Sequence, residues 1–304
     1  MKPNKRKKIS TKNRSLINKF KFYIKVEKGL TENSVSAYIS DIVNFGLFIN
    51  DSDLKKVNAQ MVIEFLNYLY KNKAEDTTVA RKRSSLVNFY KFLFSDGLIN
   101  EPIYEKFPAP KISLKLPDVL SIEEVESLIN SVKTNDKYGL RNRAILEFLY
   151  STGARISEMI ELRISDILWE ESLVRLFGKG RKERYVPISN IALEYCQKYL
   201  NDARNAFLKE KQSNILFLNR FGTKISRMGC WKVFNKYVNL SQIKSKVSPH
   251  TLRHSFATHL LQGGANLRVV QTLLGHISIS TTQIYTNIDR KYLKEIHSLY
   301  HPRA

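Results

Sequence analysis

The stretch EPIYEKFPAPKISLKLPDVL, residues 101 to 120, holds four of the chain's eight prolines. Proline fixes φ and disfavours helix in the residue before it, so neither a helix nor a central strand is expected to run through here. An extended connector over residues 101–118 is the prediction. At 304 residues the chain is longer than one ordinary core, and a break at this place divides it in two. Each side must then bury a core of its own.

On the N-terminal side the pattern is helical. Val35, Tyr38, Ile39, Ile42, Phe45 and Ile49 recur at three- and four-residue spacings after a Thr-Glu-Asn start, which makes an amphipathic stripe with an N-terminal cap. Similar stripes cover 14–28, 58–71 and 77–95, and together they predict a small all-helical domain over 13–100. Ahead of it, residues 1–12 carry six lysines and arginines and no acid, the composition of a flexible basic arm or a plain solvated tail.

The other side, residues 119–304, reads as mostly helical with a β insertion. Ser121 caps a helix with acids in its first turn, and a helix through RNRAILEFLYSTG stops at Gly153. LVRLF and RYVPI flank the polar turn GKGRKE, a β-hairpin pattern, and beyond NILFLN the chain is helical to its end. The expected class is therefore mainly α with a small β-hairpin or sheet in the second domain. Two lobes on a strap suit a clamp around a rod such as duplex DNA.

Charge narrows the partner. Fifty Lys and Arg against 28 Asp and Glu give a formal +22, the footprint of a chain that sits on a polyanion. Nucleic acid and an anionic membrane surface both answer to that. No run approaches the ~18 to 20 apolar residues of a membrane span, so membrane insertion is not expected. Lysines interrupt any apolar leader in KFKFYIKVEKG, and with only Cys196 and Cys230 there is no disulfide framework, so a cytoplasmic, nucleoid-associated location is the expectation. Arg81, Lys82, Arg83 and Lys91, on the last helix of the first domain, are candidate DNA contacts; a solvated charged face is the plainer alternative.

All six histidines fall at or beyond residue 250. Chance, a metal site and an active site each explain that, but HExxH and paired CxxC are both missing, which disfavours metal. In SPHTLRHSFATHLLQGG, Ser248 is an N-cap and Pro249 sits at the first helical position. His250 and Arg253 then share one face of the first turn, where free N–H groups also favour an anion. NLRVVQTLLGH is a second helix, capped by Asn266 and ended by Gly275, with His276 just beyond. Ser280 is a cap for a short helix bearing Tyr285, which would turn that tyrosine back towards His276. Alone, both read equally well as packing residues. Upstream, TGARISE sets Arg155 at a helix start, against the dipole, a cost that makes sense if the charge serves a ligand anion; a pair with Glu158 is the simpler account. Lys179 projects from the hairpin turn in GKG, which lacks the pattern of a phosphate-cradling P-loop.

Taken together these positions resemble the tyrosine site-specific recombinases, and the HSLYHPRA ending resembles their Xer branch. Arg155, Lys179, His250, Arg253, His276 and Tyr285 match in order and spacing across some 130 residues. The resemblance implies a 13–100 core-binding, SAM-like DNA-binding domain and a catalytic domain over 119–304 with a C-terminal exchange helix at about 290–304. It implies transesterification, with Tyr285 attacking a DNA phosphodiester to leave a 3′-phosphotyrosyl link. Arg155 and Arg253 would grip the phosphate, Lys179 would protonate the departing 5′ oxygen, His250 would take the tyrosine proton and His276 would orient the phosphate. Glu158 would position Arg155 or His250. No metal, nucleotide or other cofactor is implied, since the energy of the broken bond is kept in the phosphotyrosine. The implied partners are duplex DNA with a specific recombination site, a homo- or hetero-tetramer on that DNA, and an FtsK-type DNA translocase. Chromosome or plasmid dimer resolution is the implied task. A mobile-element integrase, a type IB topoisomerase and a non-catalytic DNA-bending protein stand as alternatives.

Overall fold

The computed structural model describes residues 9–109, 119–178, 182–208, 212–245, 247–275 and 287–304, the side chains at 287–289 excepted. The chain divides into two compact units, Met1–Lys115 and Leu116–Ala304.

The first unit is helical: α1 (Thr11–Val26), α2 (Glu32–Phe48), α3 (Ala59–Lys71) and α4 (Asp76–Ser95). Each start has a sequence cause. Ser10, Thr31 and Asn58 accept a hydrogen bond from the backbone N–H three residues on, closing the first turns of α1, α2 and α3. The apolar stripes meet in a core of Phe20, Phe45, Phe65, Phe89 and Tyr90, in which Phe20 meets Phe89 edge-on at 5.2 Å. Ile9 packs against this core, Ser10 caps α1, and Lys12 pairs with Asp53, so residues 9–12 belong to the folded unit rather than to a flexible arm; the rest of the expected arm lies outside the described residues.

The connector departs from expectation in the same way. Residues 103–106 form a 3₁₀ turn, Phe107 is buried in the first core, and Arg83 donates to the Phe107 and Pro108 carbonyls. Pro102 is tolerated at the start of the turn, Pro108 disfavours helix in Phe107 and so keeps it short, and the buried aromatic ring then holds it down. Residues 110–118 lie outside the described residues.

In the second unit, α5 (Ile122–Asn130) starts on a reciprocal Ser121/Glu124 capping box, and α6 (Lys137–Thr152) is buried almost all round. α7 (Ile156–Met159) follows one turn later. A three-stranded antiparallel sheet comes next, in order β1 (Ile167–Leu168), β2 (Leu173–Phe177), β3 (Glu183–Pro187). Leu173 pairs with Pro187 and Phe177 with Glu183, which is the expected hairpin; β1, two residues long, is too short to leave a sequence period. The chain continues through α8 (Asn190–Lys198), α9 (Asn205–Leu208), α10 (Arg227–Leu240), α11 (Pro249–Gly263), α12 (Leu267–Leu274) and α13 (Asn287–Tyr300). α11 ends at Gly263, with Gly264 in the left-handed cap position.

α13 packs on its own unit. Leu293, Ile296, His297 and His301 are buried, whereas Tyr292 and Leu299 of the same apolar set face out. Gly263 permits the close approach to α11, because a Cβ there would lie 2.9 Å from the Tyr300 carbonyl oxygen. Among the described residues no helix is long and apolar enough to cross a membrane.

Candidate active site

The buried helix α6 is the axle of the site. It ends at Gly153 in the left-handed region, and Arg155 stands two residues later as the N-cap of α7. α11 lies against α6, and its Arg253 reaches back so that Nη1 donates to the Gly153 carbonyl at 2.5 Å. Arg253 Nη2 donates to the Leu274 carbonyl at the end of α12, also at 2.5 Å. Two of the six matched residues, far apart in the chain, thus meet at the end of one helix.

Glu158 ties the arrangement together. Its carboxylate accepts from the Arg155 backbone N–H at 2.8 Å and from Arg155 Nη1 at 2.9 Å. The simpler account of Arg155, a pair with Glu158, therefore holds, yet the Arg155 side chain is still 35% exposed and open to an anion. Glu158's other partner is Arg184 on β3. Arg184 Nη1 and Nη2 reach the two carboxylate oxygens at 2.8 and 2.9 Å, a bidentate fork, and Arg184 Nε donates to the Leu273 carbonyl at 2.8 Å. Burial raises the Glu158 pKa, but Arg184 and Arg155 outweigh it and hold the carboxyl below its ordinary range.

Sequence reasoning passed over Arg184. The available signal was strand alternation: in ERYVP, Arg184 falls on the face of Val186, and a charge on the inward face of a strand needs a buried partner.

The pocket is strongly cationic. Burial lowers the Arg253 pKa, with repulsion from Arg155 and then Arg184 adding to it. Among the described residues Arg253 donates to main-chain carbonyls and pairs directly with no carboxylate, so only the nearby Glu158 offsets its charge, and only in part. An anion placed here relieves that cost. His250 stands exposed at the start of α11. Partial desolvation, then Arg253, His254, Arg227 and Arg155, push its pKa below the ordinary value, which leaves the ring neutral and able to accept a proton near pH 7.

Lys179, His276 and Tyr285, with the expected Ser280-capped helix, lie outside the described residues. The residues just before Lys179 and His276 are placed. Gly178 precedes Lys179, and a Cβ on it would lie 3.9 Å from both Arg184 Nη1 and Glu158 Oε1. Gly275 precedes His276 at φ +65°, and a Cβ there would press on Arg184 at 3.1 to 3.2 Å. On the far side, Arg290 of α13 lies over the Tyr185 ring at 3.7 Å, which holds the start of that helix against β3.

The four candidates on α4 are all engaged within the first unit. Arg81 and Lys82 pair with Asp41, Lys82 being buried, Arg83 donates to the connector carbonyls, and Lys91 lies over the Tyr104 ring at 5.5 Å. Among the described residues no group of three or more His, Cys, Asp or Glu is placed to hold a metal.

Residues 118–291 match the phage integrase family, and residues 17–97 match the phage integrase N-terminal SAM-like domain. Tyrosine recombinase XerD of Oceanobacillus iheyensis is 40% identical over 294 residues, which span 95% of this chain and 98% of that one. The structure of the XerH site-specific recombinase bound to palindromic difH substrate, a post-cleavage complex, is similar at TM-score 0.67 and 26% identity, over 93% of this chain and 84% of that one. A lambda integrase tetramer bound to a Holliday junction has a TM-score of 0.70 over 92% of this chain and 81% of that one, and at 17% identity the likeness is one of fold.

Proposed function

The chain belongs to the phage integrase family and is a tyrosine recombinase; on that premise we propose that it cuts and rejoins DNA at a specific site through Tyr285. The tyrosine oxygen attacks the phosphorus, the bond to the 5′ oxygen breaks, and a 3′-phosphotyrosyl link forms. His250 takes the phenolic proton and Lys179 gives one to the departing 5′ oxygen. Arg155 and Arg253 hold the non-bridging oxygens and offset the charge that builds in the transition state, with His276 adding a hydrogen bond. Glu158 is a positioning residue for Arg155. The observation that carries this reading is Arg253, bonded among the described residues to main-chain carbonyls and to no carboxylate, beside the partly exposed Arg155.

A 5′-OH from a partner strand reverses the step, which makes strand exchange through a Holliday junction the outcome. Two sites, each with two half-sites, call for four protomers, of this chain alone or with a related recombinase. The 13–100 domain supplies the grip on duplex, and the outward Tyr292 and Leu299 of the helix from about 290 supply the link between protomers. By analogy with XerD the task is resolution of chromosome or plasmid dimers, with an FtsK-type translocase as a candidate activator.

The test is a duplex carrying a binding site selected from genomic fragments, nicked beside the scissile phosphate so that the released end diffuses away. The full chain is expected to leave a covalent adduct on denaturing gels, and Tyr285→Phe to bind without forming it. An adduct from the Phe variant means another nucleophile. Cells lacking the protein are expected to accumulate DNA dimers; loss of mobile-element excision with no dimers points to an integrase role instead.

A further inference from the structure

Arg184 occupies an unusual place for a residue outside the matched six. Its side chain is only 9% exposed, and its guanidinium donates three ways at once, to both Glu158 oxygens and to the Leu273 carbonyl. Glu158 in turn holds Arg155 through its backbone and its side chain. The next carbonyl along α12, that of Leu274, is held by Arg253. Both residues that lead into the undescribed segments, Gly178 before Lys179 and Gly275 before His276, abut the same guanidinium. One buried cation therefore bonds to Glu158, which holds Arg155, and to the end of α12, where Arg253 also bonds, and it lies beside Gly178 and Gly275.

Its chemistry separates it from the residues that would grip the phosphate. A carboxylate neutralises Arg184, and its fork is spent on that carboxylate. Among the described residues Arg253 is bonded to carbonyls and to no carboxylate, so its charge is available, and Arg155 shares a carboxylate that Arg184 already holds from the other side. By taking both Glu158 oxygens, Arg184 weakens the hold of Glu158 on Arg155, and it leaves the Arg155 charge freer for an anion. The bidentate geometry fixes the carboxylate plane, which a single-point lysine bond does not do.

We propose that Arg184 is a positioning residue for the strand-cleavage reaction: through Glu158 it aims Arg155 at the scissile phosphate, and through the end of α12 it sets the register of Arg253. This rests on the reading that Arg155 and Arg253 bind that phosphate. Arg184 itself makes no contact with DNA.

The test uses the full chain and two nicked duplexes of the selected site, one with a normal scissile phosphate and one with a methylphosphonate, in which an uncharged methyl replaces a non-bridging oxygen. Aiming a cation matters far less when the anionic charge is gone. Arg184→Gln is expected to slow adduct formation on the phosphate at least about 30-fold and on the methylphosphonate less than about 3-fold, with duplex affinity unchanged. Arg184→Lys, which keeps the buried charge, is expected to fall between and carries the test if the Gln variant melts early. Equal losses on the two substrates would mean that Arg184 is only structural and would overturn the proposal. Arg155→Ala run alongside keeps the two ideas apart. If Arg155→Ala is selectively rescued by the methylphosphonate and the Arg184 variants are not, this inference fails alone; if Arg155→Ala is not rescued either, the phosphate-binding reading fails with it.

Discussion

At the scale of single residues, the site depends on how few of its charges are neutralised. Glu158 is shared between Arg155 and Arg184, and among the described residues Arg253 bonds to carbonyls and to no carboxylate, so net positive charge is left over. Arg155→Lys retains the charge but loses the planar fork and the Nη1 bond to Glu158. It is expected to reduce adduct formation about 100-fold or more, while duplex affinity changes by less than about 3-fold, in keeping with the loss of one oriented donor to a developing charge. Equal losses of cleavage and binding would remove Arg155 from the chemistry. His250 supplies a pH test. Desolvation, then Arg253, His254, Arg227 and Arg155, hold its pKa below the ordinary 6.5, so the neutral, proton-accepting ring predominates above that value and disappears as the pH falls. Single-turnover cleavage should therefore rise with pH along an acid limb that levels off below about pH 6.5. If that limb persists unchanged in His250→Gln, the base is elsewhere.

At the scale of elements, the end of α6 is where most of the site's support converges. The last carbonyls of a helix have no partner within it. Here His297 Nε2 donates to the Ser151 carbonyl at 2.8 Å and His301 Nε2 to that of Tyr150 at 3.3 Å, so α13 caps α6 just before Gly153 and Arg155. The two rings stack at 4.6 Å and are buried. Burial pushes the His297 pKa down to about 4 and that of His301 well below its ordinary value. Unfolded, both take up a proton near pH 6.5 while the folded forms do not, so their contribution is whole above that pH and is lost as the pH falls towards 4. For His297 the loss amounts to about 3 kcal/mol. The melting temperature of the full chain is expected to fall over that window, and to fall less steeply in His297→Asn; identical slopes would show that the ring does not titrate on unfolding. Removing residues 290–304 strips Leu293 and Ile296 from the core and both caps from α6. It should therefore impair cleavage and exchange well beyond any change in duplex binding, and undiminished recombination by the truncated chain would count against a coupling role for α13.

At the scale of the whole molecule, the excess of 22 positive charges is spread over both units, and several of the expected DNA-facing cations prove to be engaged at home. Lys82 is the sharpest case. It is buried against Asp41, so its removal is expected to cost stability rather than affinity. Affinity for duplex should still fall steeply with salt. If six or more phosphates are neutralised, raising salt from 50 to 200 mM lowers it by about a thousandfold or more. A nearly flat salt dependence, measured by titration of a labelled duplex, would mean that the charge is not there for a polyanion.

Much of this was legible in the chain itself. Local chemistry determines local structure, so the stripes, Ser121, Ser248, Asn266, Gly153 and Gly275 marked helices and their ends to within a residue or two. The types and spacings of the matched residues were likewise visible, because a phosphate needs cations and a proton acceptor wherever the fold places them. What the sequence could not show were the pairings made across long separations. Arg184 meets Glu158 from 26 residues away, Arg253 reaches Gly153 from 100 away, and His297 caps Ser151 from 146 away. Burial of Phe107, with Arg83 bonded to its carbonyl and that of Pro108, drew part of an apparent linker into a core. Such choices carry no periodicity and no local motif. They are made when buried polar groups must find partners in a low-dielectric interior, and only the packed structure decides which partners are within reach.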